Sequence, residues 1–277
     1  MLKRLLTAVI LIPLVVFGIL RLPTLAFTAA AGLFLVLALW EWAGLIPLRA
    51  RAARLLYLAV SAVLSGGAWL LLQRQPQLLF GLLSLVAVWW LLAAVWLSRP
   101  QLGRDWTALK IVLPALVLVP AWLALSQLHG AGAQGPLWVL FVFVLMWVAD
   151  SAAYFSGRSL GRHKLAFRVS PGKTWEGAVG GLVGGALFAL AVGGWSGWSG
   201  NRLLGFTVLA VICVAISIVG DLFISLLKRQ QGLKDPGALF PGHGGVLDRI
   251  DSLVAAAPLF AFGMGIGLDS GLGWLEG

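Results

Sequence analysis

The stretch LGFTVLAVICVAISIVGDLFISLL, residues 204–227, is a long apolar run that contains a single charged side chain, Asp221. A helix needs about 20 residues to cross the hydrocarbon core of a bilayer, so this run predicts a membrane-spanning helix. A carboxylate inside such a helix is costly unless it has a partner. Asp221 is therefore the first candidate for a functional side chain.

The apolar character extends over the whole chain. Of its 277 residues, 60% are hydrophobic and 11% are charged, and the mean hydropathy is +0.97. A soluble domain of this length could not bury so much apolar surface. We therefore predict an all-α polytopic integral membrane protein with about nine transmembrane helices, near residues 5–20, 24–45, 55–73, 78–97, 110–127, 137–155, 175–194, 204–227 and 252–268.

The placement of the basic residues predicts the orientation of these spans. Cytoplasmic loops of membrane proteins are enriched in lysine and arginine. With the N-terminus in the cytoplasm and the C-terminus outside, only Arg21, Arg74 and Arg202 fall on the outer side, while the other 17 of the 20 basic residues fall inside. The charge of +10 is thus explained by topology, and no nucleic-acid partner is expected. We interpret residues 1–20 as the first span rather than as a signal peptide, because no convincing cleavage site follows.

The predicted spans divide into two parts. Residues 1–130 form spans one to five with short connections, and residues 131–277 form spans six to nine with cytoplasmic loops at 156–174 and 228–251. We expect the chemistry in the second part, because both long charged loops belong to it.

Four features outside those loops receive simple interpretations. Cys213, inside an apolar run, is expected to be a core residue, and His129 is expected to be solvated in a loop. Gly177 and its four-residue repeats predict close helix packing, within one chain or at a dimer face. Glu41 has three open interpretations: a functional carboxylate, a partner of Arg49, or a group in the headgroup layer.

Polar residues concentrate in three stretches, MWVADSAAYFSGR (146–158), FRVSPGKTWEG (167–177) and GDLFISLLKRQQGLKDPGALFPGHGGVLDRIDS (220–252). Under the predicted topology all three meet at the cytoplasmic face. The carboxylates must either pair with nearby cations or bind a metal ion, and oxygen ligands favour Mg²⁺ over Zn²⁺. The acids expected to converge at this level are Asp150, Glu176, Asp221, Asp248 and Asp251.

The same stretches contain elements suited to phosphate. Glycines allow the backbone to approach an anion, and Ser170-Pro171 resembles a helix start whose N-terminus would attract phosphate. The combination indicates a site for a metal-bound polyphosphate. Taken singly, Lys234, Arg249 or His243 could be structural, because positive loops follow from topology alone. The basic residues are Lys173, Lys228, Arg229, Lys234 and Arg249, and the glycines are Gly237, Gly242, Gly244 and Gly245.

Two motifs carry a resemblance to a known family. Residues 225–251, SLLKRQQGLKDPGALFPGHGGVLDRID, resemble the signature of the phosphatidate cytidylyltransferase (CDP-diacylglycerol synthase) family: a Ser, Lys-Arg, a gap, Lys-Asp, and His-Gly-Gly-x-x-Asp-Arg-x-Asp. SPGKTWEG, residues 170–177, is similar to a second family motif, Ser-Pro-x-Lys-Thr-x-Glu-Gly. Gly172 stands where a basic residue is often expected, which leaves one phosphate contact in doubt.

The resemblance implies a nucleotidyltransferase reaction, CTP + phosphatidate → CDP-diacylglycerol + pyrophosphate, in phospholipid biosynthesis. It also implies Mg²⁺, with K⁺ as a candidate second ion, a homodimer, and a multi-pass protein of the bacterial inner membrane whose active site faces the cytoplasm.

The resemblance also implies a role for individual residues. The catalytic residues would be Asp221, Asp248, Lys228 and Arg249. The metal ligands would be Asp221, Asp248 and Asp251, with Asp150 as a further candidate. The substrate-binding residues would be Ser170, Lys173, Thr174, Glu176, Ser225, Arg229, Lys234, Asp235, His243, Gly244 and Gly245.

Two other classes of protein could use similar residues. An ion-coupled transporter also places acids in spans, but it predicts polar groups at the bilayer midplane and in both halves of the chain. A CTP-dependent polyprenol kinase would share the nucleotide chemistry but transfer the γ-phosphate. The reaction product distinguishes these possibilities.

Overall fold

The structure is a computed structural model that describes residues 2–48, 50–233 and 245–269, with side chains between residues 11 and 265 of these ranges. Several residues singled out from the sequence lie outside the described ranges. They are Arg49, Lys234, Asp235, Gly237, Gly242, His243 and Gly244.

The described chain is mainly helical, as predicted. Six helices are long and apolar enough to cross a membrane: α2, α3, α4, α8, α9 and α10. Apolar side chains such as Val63 and Val95 point outward, with 74% and 70% of their surface exposed, which is expected for faces that contact lipid. The helices are α1 (Leu2–Arg21), α2 (Thr24–Ala43), α3 (Arg51–Arg74), α4 (Leu78–Leu97), α5 (Thr107–Val112), α6 (Pro114–Val117), α7 (Val119–His129), α8 (Gly135–Leu160), α9 (Trp175–Trp195), α10 (Gly200–Gln230), α11 (Leu247–Ile250) and α12 (Leu253–Asp269).

The predicted fifth span, 110–127, is not one continuous helix. It is divided into α5, α6 and α7, with Pro114 at the start of α6 and Pro120 in the first turn of α7. Proline lacks a backbone N–H and its ring clashes with the preceding turn, so each proline interrupts the regular helix. Hydropathy identified the apolar run but could not show these breaks.

The prediction of a purely helical protein needs one correction. Between α8 and α9 lies a small antiparallel hairpin of strands β1 (Lys164–Ala166) and β2 (Ser170–Thr174). Ser170 and Pro171 therefore belong to a strand and not to a helix start. Helix α9 begins at Trp175, and the hydroxyl of Thr174 caps it by accepting a hydrogen bond from the Gly177 N–H at 3.1 Å.

Glycines of α9 allow close packing against α8, which confirms the predicted tight helix pair. A Cβ added to Gly184 would lie 2.6 Å from the Ala152 Cβ, and one added to Gly181 would lie 3.2 Å from the Ala149 carbonyl oxygen. Small residues let helix backbones approach in this way. The glycine stripe is thus used within the chain.

Two buried apolar clusters hold the helices together and join the two predicted parts of the chain. Helix α12, near the C-terminus, packs against α4 and α7 of the first part as well as α10. Cys213 is fully buried in one cluster, as predicted. The residues of both halves therefore share common cores.

His129 is buried and not solvated, so the prediction for it was wrong. It stacks on Phe27 with ring centroids 4.2 Å apart, and its Nε2 lies 2.9 Å from the Ile19 carbonyl oxygen. Its Nδ1 lies 3.1 Å from the hydroxyl of Thr24. The imidazole fastens the end of α7 to α1 and α2, which the local sequence could not reveal.

Candidate active site

Helix α10 positions Asp221 next to the turn that carries Asp251. Gly220 permits this, because a Cβ added there would lie 2.6 Å from the Asp251 carbonyl oxygen and 2.8 Å from the Ala255 Cβ. Asp221 lies seven residues before Lys228, so it is about 10 Å along the helix from that lysine. Two acids predicted to share the site are therefore brought together by a backbone contact.

Asp221 forms an ion pair with Lys173 of strand β2, and its other carboxylate oxygen, Oδ1, lies 3.4 Å from the Ser225 hydroxyl. The Lys173 and Asp221 side chains are about one quarter exposed, at 28% and 25%. The hairpin thus delivers a lysine to the carboxylate of a different element. The predicted association of the 167–177 stretch with Asp221 is observed at this contact.

Asp150 and Asp251 place two further carboxyl groups near this pair. Asp150 on α8 interacts electrostatically with both Asp221 and Lys173. Burial, together with the negative charge of Asp221, raises the pKa of the Asp251 carboxyl in the turn ahead of α12, while Lys173 lowers it. Three carboxylates therefore share the field of one ammonium group.

Asp248 forms a second ion pair, with Lys228 near the end of α10. Both side chains are largely buried, with 10% of Lys228 and 16% of Asp248 exposed. The pair joins α10 to the first turn of α11. Lys228 and Asp248, two residues of the long motif, are therefore direct partners.

Glu41, whose role the sequence left open, contacts the segment that carries Asp248. It is 2% exposed, and its Oε1 and Oε2 accept hydrogen bonds from the Val246 and Leu247 N–H groups, each at 2.8 Å. Both carboxylate oxygens are therefore used by the protein backbone. The only sequence signal for this role was the acid itself, embedded in an apolar run.

The other predicted phosphate ligands lie around these pairs. The Arg229 Nε donates to the Val169 carbonyl at 3.3 Å, which holds α10 against the hairpin. Ser170 is half-buried at the start of β2, and Arg249 is exposed beside Asp248. Arg249 is thus accessible to an anionic ligand.

Three predicted binding residues make structural contacts within the protein. Thr174 is buried as the cap of α9, and the Glu176 carboxylate accepts from the backbone N–H of His163 and contacts its Nδ1 at 2.6 Å. Glu176 therefore braces the hairpin and does not join the other acids. Gly245 is packed against the Glu41 carboxylate, where an added Cβ would lie 2.4 Å from Oε2.

The donor chemistry of the site fits a hard cation. Asp150, Asp221 and Asp251 place three carboxyl groups around the single ammonium group of Lys173, and carboxylate oxygens are the ligands that Mg²⁺ prefers. In the described ranges, no three His, Cys, Asp or Glu side chains are close enough to hold one ion together. Lys173 and Lys228 form ion pairs with Asp221 and Asp248, two of the carboxylates that a cation would bind.

This arrangement can bind and bring together anions. Lysines that pair with carboxylates can exchange those partners for phosphate oxygens, and the carboxylates can then take a metal ion that accompanies a nucleotide. The described residues thus support chemistry on phosphate groups at one end of the helix bundle.

Comparison with known proteins identifies the family. A model of the cytidylyltransferase family matches residues 2–266. The phosphatidate cytidylyltransferase of Pseudomonas aeruginosa is 45% identical, covering 94% of this chain and 95% of that protein, and that of Haemophilus influenzae is 38% identical over 94% and 97%. The enzyme of the same name from Brucella suis is 41% identical over 86% and 83%. The chain, an enzyme built from membrane-spanning helices, belongs to the cytidylyltransferase family.

Proposed function

We propose that this chain catalyses the reaction CTP + phosphatidate → CDP-diacylglycerol + pyrophosphate. The observation that carries the assignment is the pairing of two motif lysines with carboxylates of other elements, Lys173 with Asp221 and Lys228 with Asp248. Each pair joins a motif lysine to a carboxylate of a different element, and both pairs include a residue of α10. The similarity to phosphatidate cytidylyltransferases over almost the whole chain supports the same reaction.

The mechanism follows from charge. A phosphate oxygen of phosphatidate attacks the α-phosphorus of CTP, the bond from that phosphorus to the bridging oxygen of pyrophosphate breaks, and the negative charge moves onto the pyrophosphate. Two anions must approach each other, so cationic groups have to neutralise them. Lys173, Lys228 and Arg249 would bind the phosphates, and phosphatidate needs no general base because it is already ionised.

We propose that Asp221, Asp248 and Asp251 hold Mg²⁺, with Asp150 as a further ligand and K⁺ as a candidate second ion. When bound, Mg²⁺ polarises the phosphorus–oxygen bonds and neutralises the developing charge on the leaving group. The excess of carboxylates around Lys173 supports this assignment. The lysines neutralise the charge of their partner carboxylates until the phosphates of the substrates bind.

We further propose nine spans in the bacterial inner membrane, with the N-terminus in the cytoplasm, the C-terminus outside and the active site facing the cytoplasm. The distribution of basic residues supports this orientation, since 17 of 20 fall on one side. The reaction requires the same placement, because CTP arrives from the cytoplasm and phosphatidate from the leaflet. A homodimer, which rests on the family resemblance, can be tested by native mass spectrometry in detergent.

The decisive experiment uses purified protein, phosphatidate and CTP labelled with ³²P at the α- or the γ-position. We expect labelled lipid from α-labelled CTP only, labelled pyrophosphate from γ-labelled CTP, and no product when Mg²⁺ is removed by EDTA. Lipid labelled from the γ-position would contradict the proposal and indicate a kinase. Absence of lipid labelling from either nucleotide would also overturn it.

A further inference from the structure

Glu41 connects the second helix of the chain to the segment that carries Asp248. Its two carboxylate oxygens accept from two consecutive backbone N–H groups, those of Val246 and Leu247, at 2.8 Å each. Hydrogen bonds to a carboxylate are stronger than neutral ones. The segment therefore has a fixed anchor before the chain reaches Asp248.

The space around this anchor is closed. A Cβ at position 245 would lie within 2.4 to 2.7 Å of the three carboxyl atoms of Glu41, so any side chain there would displace the carboxylate or the backbone. The contact with Glu41 is thus sufficient to explain a glycine at position 245, and no bound phosphate is needed to account for it. The contact therefore limits how closely the segment approaches Glu41, in addition to the hydrogen bonds that hold it there.

Asp248 depends on this geometry because it follows directly after the two anchored residues. Its carboxylate pairs with Lys228, which belongs to a different helix. A shift at Val246 or Leu247 moves Asp248 relative to Lys228 and to the phosphates they would bind. Burying a carboxylate in the apolar core beside Trp42 is costly, and two backbone hydrogen bonds compensate for that cost.

We propose that Glu41 is a positioning residue of the cytidylyltransferase reaction. It holds the 245–248 segment so that the Asp248 carboxylate is correctly placed against Lys228 and against the metal-bound substrate. The inference rests on the proposed function. It predicts that loss of the carboxylate impairs turnover and metal use, although both carboxylate oxygens of Glu41 are bonded to the protein backbone.

The test is the variant Glu41→Gln, in which an amide NH₂ replaces one acceptor and faces a backbone N–H. We expect kcat to fall at least about tenfold, in line with the loss of a hydrogen bond to a charged group. The Mg²⁺ concentration for half-maximal activity should rise, while the KM for phosphatidate should stay within about twofold, since the acyl-chain contacts are untouched.

Trp42→Phe is the matched control, since Trp42 is buried next to Glu41 and donates its hydrogen bond to the Lys110 carbonyl of α5 at 2.9 Å. It should lower the thermal midpoint in detergent and leave kcat and the Mg²⁺ requirement unchanged. Gly245→Ala tests the contact from the other side and should reproduce the kinetic effect of Glu41→Gln. In the double variant, the two effects should be less than additive.

The outcomes separate the two proposals. If the wild type makes CDP-diacylglycerol and both Glu41→Gln and Gly245→Ala keep the wild-type kcat and Mg²⁺ requirement, the positioning role is refuted and the function stands. Strictly additive effects in the double variant would also refute it. If the wild type makes no labelled lipid, the proposed function itself is refuted.

Discussion

At the scale of single residues, the site is organised by two lysine–aspartate pairs with different surroundings. Lys173 and Asp221 are partly exposed and share their field with Asp150 and Asp251, while Lys228 and Asp248 are mostly buried. The first pair has more carboxyl groups than cations around it, which suits a cation. The second is balanced, so removing one partner leaves an uncompensated charge.

Asp221→Asn and Asp248→Asn should each reduce turnover by at least about 10³-fold, because an amide cannot replace a carboxylate ligand of a metal-bound polyphosphate. The labelled-lipid assay measures turnover, and size-exclusion chromatography in detergent checks that the variants stay folded. Asp105→Asn, at an exposed acid, is the control and should keep wild-type activity. Near-normal turnover in either site variant would refute the metal-ligand role.

Lys228→Met should destabilise the protein by about 3 kcal/mol, since it leaves the largely buried Asp248 carboxylate without its partner. The double variant Lys228→Met/Asp248→Asn removes both charges and should recover most of that stability while remaining inactive. Thermal unfolding in detergent and the lipid assay measure the two effects. A double variant less stable than the single one would contradict the buried-pair interpretation.

The sequence singled out Lys228 and Asp248 because they belong to a motif with fixed spacing, and Asp221 because a charge in an apolar run is unusual. It could not identify the partners of Glu41 or the burial of His129. Glu41 binds residues 205 and 206 positions later, and His129 lies 110 positions from Ile19. Such contacts depend on how helices pack, which no local pattern contains.

At the scale of elements, the site depends on close approaches between backbones. Helix α10 meets the turn before α12 at Gly220, and the hairpin carries Lys173 to the side of α10. Each approach places one charged side chain opposite another. The geometry of the site is therefore set by the spacing of helices and the hairpin as much as by the motif residues.

Gly220→Ala should push the Asp251 backbone away from α10 and lower both stability and kcat, with a cost of about 1–3 kcal/mol in stability as for other overpacked sites. Gly194→Ala in α9 is the control, because nothing lies within 4 Å of its added Cβ. It should be neutral or slightly stabilising. Thermal midpoints and kcat should move together for Gly220→Ala, and an unaffected kcat would exclude its role in shaping the site.

Elements were predictable where one physical signal dominates. Long apolar runs predicted α2, α3, α4, α8, α9 and α10, because lipid contact selects for continuous hydropathy. Ser170-Pro171 fits either a helix start or a strand edge, and pairing with β1 decides for the strand. The neighbouring motif residues Lys173 and Thr174 therefore have different roles. Lys173 pairs with Asp221, and Thr174 caps helix α9.

At the scale of the whole molecule, the first and second parts of the chain form common cores, with α12 against α4 and α7. Helices on both sides of the predicted division at residue 130 thus share buried cores. The orientation in the membrane remains a prediction from charge.

Single cysteines in a Cys213→Ala background test that orientation. Arg162→Cys, at an exposed position between α8 and β1, should react with a membrane-impermeant maleimide only from the cytoplasmic side. Ser199→Cys, exposed before α10, should react from the outer side of intact spheroplasts. Labelling of both positions from the same side would exclude the proposed topology, and the unsubstituted Cys213→Ala protein is the control for background reaction.

The bonds of Glu41 also have a consequence for biosynthesis. Its partners are made 205 and 206 residues later, so at about 5–20 residues per second the ribosome takes about 10 to 40 s to supply them. During this interval the newly inserted second helix carries a carboxylate without its final backbone donors. Because a carboxylate without partners is costly inside the bilayer, we expect Glu41 of the nascent chain to stay at the hydrated margin until residues 246 and 247 have been made.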